Sequence, residues 1–245
     1  MPRSISRKKN NMNNVIDFEG NNTNIRKQNL HIKRIKPMTK AQQRAFDLYD
    51  EGQNLVLHGL AGTGKTFCAL YLALEELMNS SEYKKLIIMR SAVPTRDIGF
   101  LPGKAADKLK VYEQPYQSMF TDLFRRGDAY PLLKSKGIVE FVPTSFIRGM
   151  TFDNTIIIAD EINNMTSHEL DSVVTRIGEY SKIMFCGDFR QSDLTGKEQS
   201  GILKFIKIIN SMYSMDLIEF GENDIVRSGL VKEYLVMKNR LNIAM

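Results

Sequence analysis

The order of apolar segments along the chain predicts an α/β fold with a mostly parallel sheet and helices on both of its faces. Short apolar runs, typical of buried strands, alternate with longer segments that carry an apolar face at helical spacing. Turn residues separate the two kinds of segment, and the sequence contains no internal repeat. Strands that alternate with helices need crossover connections, which place the strands parallel and bury them on both faces.

The predicted elements follow one another from residue 39 to residue 238. Thr39 is suited to cap a helix over residues 41–51, which ends at Gly52. The predicted strands are 54–58, 86–89, 138–142, 155–159, 182–186 and 214–220. The other predicted helices are 65–78, 107–126 with an interruption at Pro115, 167–177, 201–212 and 229–238. Two prolines and two glycines predict a loop over residues 91–105.

Composition is that of a globular protein with a hydrophobic core. Of the 245 residues, 42% are hydrophobic and 25% are charged. No apolar run approaches the length of a transmembrane helix, and no apolar segment of a secretory signal follows the basic first residues. Cys68 and Cys186 stand in separate apolar runs without metal-ligand spacing. These features disfavour a disulfide scaffold and a structural zinc site, and they predict a cytoplasmic location.

The net charge of +6 is concentrated at the N-terminus. Residues 1–36 hold nine basic and two acidic side chains, whereas residues 37–245 hold 25 basic and 26 acidic ones. The first segment also has eight asparagines and few apolar side chains, so we predict a flexible arm over residues 1–36 and a folded domain over residues 37–245. Such an arm could bind nucleic acid, because basic side chains that contact phosphates release their counterions. The alternative is a solvated tail without a ligand.

Residues 59–66, with the sequence GLAGTGKT, match the phosphate-binding pattern GxxxxGK[S/T] between a predicted strand and a predicted helix. Glycines let backbone N–H groups surround an anion, and the helix N-terminus adds a partial positive charge. The predicted nucleotide contacts in this P-loop are Gly59, Gly62, Thr63, Gly64, Lys65 and Thr66. We expect Lys65 to reach the β- and γ-phosphates of ATP and the Thr66 hydroxyl to ligate Mg²⁺.

Two carboxylates follow the apolar run at residues 155–159, where the carboxyl end of a parallel strand opens onto a ligand crevice. Asp160 is expected to hold Mg²⁺ opposite Thr66, and Glu161 to orient and deprotonate the attacking water. Gln191, which follows the next strand, is placed to hydrogen-bond both the γ-phosphate and that water. A glutamate beside the aspartate favours ATP hydrolysis over a small-molecule kinase, because a kinase has no need to activate water.

Seven stretches together carry a family resemblance. They are GLAGTGKT (59–66), DIGFLPG (97–103), RGMTFDN (148–154), DEINN (160–164), TRIGE (175–179), GDFRQSDL (187–194) and NDIVRSGLV (223–231). This combination resembles the phosphate-starvation-inducible PhoH-like ATPases, and it is similar to the first RecA-like half of superfamily 1 helicases. The resemblance runs from about residue 39 to residue 241.

The resemblance implies a RecA-like P-loop NTPase fold and roles for further residues. Gln42 corresponds to the glutamine that contacts the adenine edge, and Gln191 to the residue that couples the γ-phosphate to the nucleic-acid surface. Arg227 corresponds to the arginine that contacts the γ-phosphate. Because the chain has one P-loop, a neighbouring subunit would complete the site, and the family points to a homo-oligomer in the form of a hexameric ring. The arginine acts in cis or from that neighbour, with Arg148 as the second candidate.

The expected function is Mg²⁺-dependent ATP hydrolysis coupled to binding or remodelling of RNA or single-stranded nucleic acid. Nucleic acid would bind to loops such as residues 91–104, to Arg148 and to the basic arm. The alternative is an ATP-dependent switch or assembly factor that acts on a protein partner without unwinding a strand. Stimulation of the ATPase by RNA or single-stranded DNA separates the two.

Overall fold

The computed structural model describes residues 30–91, 105–189 and 197–241, and within them six strands form one parallel sheet. The strands are β1 (Asn54–Gly59), β2 (Lys85–Arg90), β3 (Val139–Pro143), β4 (Thr155–Asp160), β5 (Lys182–Gly187) and β6 (Met215–Phe220). Their order across the sheet is β3–β2–β4–β5–β1–β6, with every neighbouring pair parallel. The carboxyl ends of all six strands therefore lie along one edge of the sheet, which confirms the predicted α/β class.

The helices of the described residues are α1 (Lys40–Asp50), α2 (Lys65–Asn79), α3 (Ala105–Phe124), α4 (Ala129–Ser135), α5 (Ser167–Val174), α6 (Lys197–Ile209) and α7 (Gly229–Arg240). Thr39 caps α1, since its hydroxyl accepts a hydrogen bond from the Gln42 backbone N–H. The sequence patterns did not predict α4, and they extended α5 three residues too far. Within the described part of the chain, we find no helix with the length and apolar character needed to cross a membrane.

Pro115 lies inside α3, so the predicted interruption of that helix is wrong. A proline inside a helix removes one backbone hydrogen bond and costs about 3 kcal/mol. The buried side chains of Tyr116, Phe120 and Leu123 follow it on one face of the helix. Phe120 also packs edge-on against Tyr130 of α4. Burial of this apolar face offsets the cost of the proline and keeps the helix continuous.

The two strands at the centre of the sheet are buried at every position. β4 has the sequence TIIIAD and β5 the sequence KIMFCG, and each is covered from both faces. This burial explains why the two segments are continuously apolar rather than alternating. At the carboxyl edge, β4 ends at the carboxylate of Asp160 and β5 ends at Gly187.

The chain divides into two compact units, Met1–His31 and Ile32–Met245, and the sheet belongs to the second. Most of the predicted basic arm lies outside the described residues. The last part of the predicted arm is within the second unit, where the Lys33 backbone N–H donates to the Leu123 carbonyl over 2.7 Å. The division into an arm at residues 1–36 and a domain at residues 37–245 stays a prediction.

Candidate nucleotide site

The P-loop connects the end of β1 to the start of α2 at the carboxyl edge of the sheet. Gly62 and Gly64 have φ angles of +75° and +82°. Residues with a side chain rarely adopt this left-handed backbone, whereas glycine adopts it freely. The two glycines let the loop turn tightly before α2 begins at Lys65.

Gly59 is required for a different reason, which the motif does not reveal. Its φ angle is +131°, and a Cβ atom at this position would lie 2.1 Å from the carbonyl oxygen of Phe220 in β6. The same carbonyl accepts a hydrogen bond of 3.0 Å from the Leu60 backbone N–H. Gly59 therefore permits β1 and β6 to approach each other closely at the point where the P-loop begins.

We expect Gly59→Ala to lower the free energy of unfolding by about 2 kcal/mol or more, because the new methyl group must displace backbone. Gly52→Ala is the matched control: Gly52 also has a positive φ of +93°, but nothing lies within 4 Å of a Cβ placed there. Chemical denaturation of both variants measures the difference. Equal losses of stability would show that contact with β6 is not what requires Gly59.

The Lys65 ammonium group lies inside the loop that the motif assigns to phosphate. Its Nζ donates to the carbonyl oxygens of Gly59 and Leu60 over 2.6 and 2.7 Å. Burial lowers the pKa of Lys65, and the negative charges of Asp188 and Asp160 oppose that shift. A positive charge enclosed by a glycine-rich loop is suited to receive an anion.

Thr66 and Asp160 meet at the carboxyl edge, as the motifs predict. The Thr66 hydroxyl donates to Asp160 Oδ1 over 2.8 Å. The other oxygen, Oδ2, accepts a hydrogen bond of 2.8 Å from the Tyr116 hydroxyl. Burial and the charge of Asp160 raise the pKa of Tyr116, so the phenol keeps its proton and acts as the donor. No local pattern connects Tyr116 with Asp160, because 44 residues separate them in the chain.

Glu161 follows Asp160, but its carboxylate faces another part of the sheet. Its Oε2 pairs with an Nη atom of Arg90 over 2.8 Å and accepts a hydrogen bond of 3.1 Å from the Asn164 amide. Its φ angle of +50° is unusual for a residue with a side chain. Burial raises the pKa of Glu161, and the positive charge of Arg90 opposes the shift.

Asp188 and Asn163 tie the end of β5 to the segment after β4. The Asn163 side-chain oxygen accepts a hydrogen bond of 3.2 Å from the Asp188 backbone N–H. A Cβ atom on Gly187 would lie 2.9 Å from the same oxygen, which explains the glycine there. The Asp188 side chain is buried, and its charge acts on Lys65. The sequence patterns did not single out Asp188.

The Gln42 amide is buried beneath the P-loop. Its Oε1 accepts a hydrogen bond of 2.8 Å from the Met38 backbone N–H, and its Nε2 donates to the Thr63 carbonyl over 3.0 Å. A cleft of about 850 Å³ lies nearby and is lined by residues of α1 and β6, including Lys40 and Ile218. In this structure, Gln42 anchors the P-loop to the segment before α1. Contact with adenine stays a prediction.

Arg227 lies beside the P-loop of its own chain. A Cβ atom on Gly62 would be 2.9 Å from Cγ of Arg227, and the Val226 backbone N–H donates to the Gly62 carbonyl over 3.0 Å. Arg148, the second candidate, is exposed on the turn after β3. Gln191 and residues 92–104 lie outside the described residues, so their predicted roles stay predictions.

Two solved structures superpose on part of this chain at low sequence identity. The large terminase of a thermophilic bacteriophage superposes with a TM-score of 0.49 at 11% identity, over 81% of this chain and 50% of the terminase chain. The Hef helicase domain of Pyrococcus furiosus superposes with a TM-score of 0.45 at 16% identity, over 75% of this chain and 39% of that chain.

Sequence comparison gives a closer relationship. A PhoH-like protein of Mycobacterium tuberculosis is 33% identical over 202 residues, which are 82% of this chain and 57% of the relative. This chain thus spans about half the length of that relative. The family model described as PhoH-like protein matches residues 34–238, a range that includes the P-loop, Asp160 and Glu161. The chain therefore belongs to the PhoH-like family of P-loop nucleotide-binding proteins.

Proposed function

We propose that this chain hydrolyses ATP in the presence of Mg²⁺ and couples hydrolysis to binding or remodelling of RNA or single-stranded nucleic acid. The observation that carries the proposal is the placement of Lys65 inside the glycine-rich loop, next to the hydrogen-bonded pair of Thr66 and Asp160. Phosphoryl transfer depends on this combination of phosphate cradle, positive charge and metal-binding oxygens.

The side chains at the carboxyl edge fit Mg²⁺. The Thr66 hydroxyl and the Asp160 carboxylate supply oxygen atoms, which this ion prefers, and Mg²⁺ commonly takes its other ligands from water and nucleotide phosphates. Within the described ranges, no group of three or more His, Cys, Asp or Glu side chains could hold a metal by itself. When bound here, Mg²⁺ would neutralise charge on the phosphate oxygens.

The chain's own residues supply the remaining steps. The P-loop N–H groups and Lys65 bind the phosphates, and Glu161 accepts a proton from the attacking water. Gln191 orients that water. Arg227, whose side chain lies against Gly62, stabilises the negative charge that develops on the γ-phosphate.

An exposed apolar stripe on α7 supports the proposal that a second copy of the chain completes the site in a ring. Leu230, Tyr234, Met237 and Leu241 recur at helical spacing, and all four are exposed. The same helix reaches the P-loop, since a Cβ atom on Gly62 would lie 3.1 Å from the Leu235 side chain. A contiguous apolar surface of this kind marks a protein interface.

The turn after β3 supports the proposed contact with nucleic acid. Phe146, Arg148 and Met150 are exposed there, at the edge of the sheet that holds the P-loop. Exposed aromatic rings stack on nucleic-acid bases, and arginines attract the phosphates. We propose that this turn, the loop at residues 92–104 and the basic arm together bind the strand.

Titration of the ATPase rate with single-stranded RNA and DNA tests the coupling. We expect stimulation of several-fold by at least one of the two polymers at low salt. Basal hydrolysis without stimulation by either polymer would favour the alternative function, an ATP-dependent switch or assembly factor that acts on a protein partner.

Deletion of residues 1–31 tests the basic arm and leaves the second compact unit whole. The deletion removes six basic and two acidic side chains, a net charge of +4. We expect basal ATPase to stay unchanged. The plot of log affinity for single strands against log salt concentration should become less steep, by as much as about 3, because fewer counterions are released on binding. Fluorescence anisotropy with labelled RNA measures the slope. An unchanged slope would place the binding surface within residues 32–245.

Tyr116→Phe tests how the metal-binding carboxylate is held. Loss of the hydrogen bond to Asp160 should raise the Mg²⁺ concentration for half-maximal activity about tenfold, since outer-shell partners orient metal ligands. Mg²⁺-dependent binding of a fluorescent ATP analogue gives a second readout. Tyr130→Phe is the matched control, because Tyr130 is a buried tyrosine that donates to Glu113 over 2.8 Å, away from the P-loop. An equal effect of both variants would contradict the assignment.

A further inference from the structure

The two adjacent carboxylates at the end of β4 form different direct contacts, and the charges of both act on Arg90. Asp160 bonds to Thr66, which belongs to the P-loop after β1. Glu161 pairs with Arg90, the last residue of β2. In the sheet, β2 and β1 lie on opposite sides of β4. The carboxylate that would activate water is therefore turned away from the strand that leads into the P-loop.

Several contacts hold Glu161 in this orientation. The ion pair with Arg90 and the hydrogen bond from Asn164 meet at the same carboxylate oxygen, Oε2. The guanidinium of Arg90 also lies over the ring of Tyr112 in α3, 5.6 Å from its centroid. The Arg90 side chain is 20% exposed, whereas that of Glu161 is 41% exposed. Arg90 is thus the fixed partner and Glu161 the one with room to move.

We propose that Arg90 is a positioning residue that holds Glu161 away from the phosphates in the resting chain, and that a phosphate group of a bound single strand releases it. The inference rests on the proposed function. The ion pair and the hydrogen bond from Asn164 keep the Glu161 carboxylate turned toward β2. Activation of water beside the γ-phosphate needs that carboxylate at the P-loop, so hydrolysis requires a state in which the ion pair is broken.

The position of Arg90 favours a nucleic-acid phosphate as the releasing group. Arg90 pairs in register with Pro143, and the turn with exposed Phe146 and Arg148 begins directly after Pro143. A strand bound on that turn would place phosphates near the end of β2. Arginine binds phosphate and carboxylate with the same fork of donors, so the two anions compete for it.

Steady-state ATPase of Arg90→Met tests the proposal. We expect basal kcat to rise about fivefold, the size of effect that a partly exposed ion pair can exert, with KM for ATP unchanged. Further stimulation by poly(U) RNA or single-stranded DNA should be lost. Arg90→Lys, which keeps the charge, should retain part of the stimulation.

Lys85→Met is the matched control. Lys85 begins the same strand and pairs with Glu140 over 2.6 Å at the opposite edge of the sheet, so this variant should leave both rates unchanged. Asn164→Ala removes the second donor to Glu161 and should raise basal kcat about twofold, which keeps the proposal testable if Arg90→Met fails to fold.

The outcomes separate this inference from the proposed function. Absence of ATP hydrolysis by the natural chain would contradict the proposed function itself. A natural chain that is stimulated by single strands, together with an Arg90→Met variant that is equally stimulated or has a lower basal kcat, would overturn only the role of Arg90.

A spectroscopic readout tests the same point without turnover. The chain has no tryptophan, so Tyr112→Trp would place a single tryptophan, excited selectively at about 295 nm, under the Arg90 guanidinium. Poly(U) or single-stranded DNA should change its emission as Arg90 binds a phosphate. Unchanged emission, at strand concentrations that saturate binding by anisotropy, would contradict release of the ion pair.

Discussion

Lys65→Ala is expected to lower ATP turnover about 10³-fold or more, because it removes the positive charge that stabilises the phosphates during transfer. In the structure, the ammonium group is already enclosed by the P-loop, bonded to the Gly59 and Leu60 carbonyls. The cation that we propose as the phosphate ligand is therefore in place before any nucleotide binds. Free phosphate release at saturating ATP measures the loss.

The fold should survive this substitution. The Lys65 side chain is largely enclosed and its pKa is lowered by burial, so its removal eliminates the cost of burying a charge. Lys204→Ala, at an exposed position on α6, is the control and should keep full turnover. Turnover of Lys65→Ala within threefold of the natural chain would show that the P-loop is not the catalytic site.

Glu161→Gln should separate ATP binding from turnover. The amide keeps the volume of the side chain but cannot accept a proton from water, so turnover should fall about 10²-fold or more while ATP still binds. The candidate base lies outside the P-loop and bonds to Arg90 and Asn164 instead. Its loss therefore leaves the contacts of the phosphate cradle intact.

Two measurements are needed for Glu161→Gln: phosphate release and the Kd of a fluorescent ATP analogue. Glu140→Gln is the matched control, because Glu140 forms an ion pair with Lys85, the first residue of β2, away from the P-loop. A Kd that rises in parallel with the loss of turnover would identify Glu161 as a metal-binding or structural residue.

Local patterns were sufficient to predict where the P-loop and the Asp160 carboxylate lie in the fold. The P-loop is one continuous segment between a strand and a helix, and Asp160 ends an uninterrupted apolar strand. Both signals are contained within a few residues. Parallel strands bring their carboxyl ends to one edge of the sheet. The hydrogen bond between Thr66 and Asp160 depends in addition on strand order, since only β5 lies between β1 and β4.

The remaining contacts depend on the order of strands and on the packing of α3. Arg90 meets Glu161 because β2 lies next to β4, and nothing in either segment specifies that neighbour. Tyr116 reaches Asp160 because α3 continues through Pro115, against the helix-breaking tendency of proline. The Gln42 amide hydrogen-bonds to the Thr63 carbonyl and does not point into solvent, because α1 packs against the P-loop.

Quantification of ADP and free phosphate from one reaction shows whether the P-loop site hydrolyses ATP. The purified chain would be incubated with ATP and Mg²⁺, without any acceptor and beside the Lys65→Ala variant. We expect ADP and free phosphate in equal amounts, produced by the natural chain and not by the variant. Product formation no greater than that of Lys65→Ala, or ADP without free phosphate, would contradict this expectation.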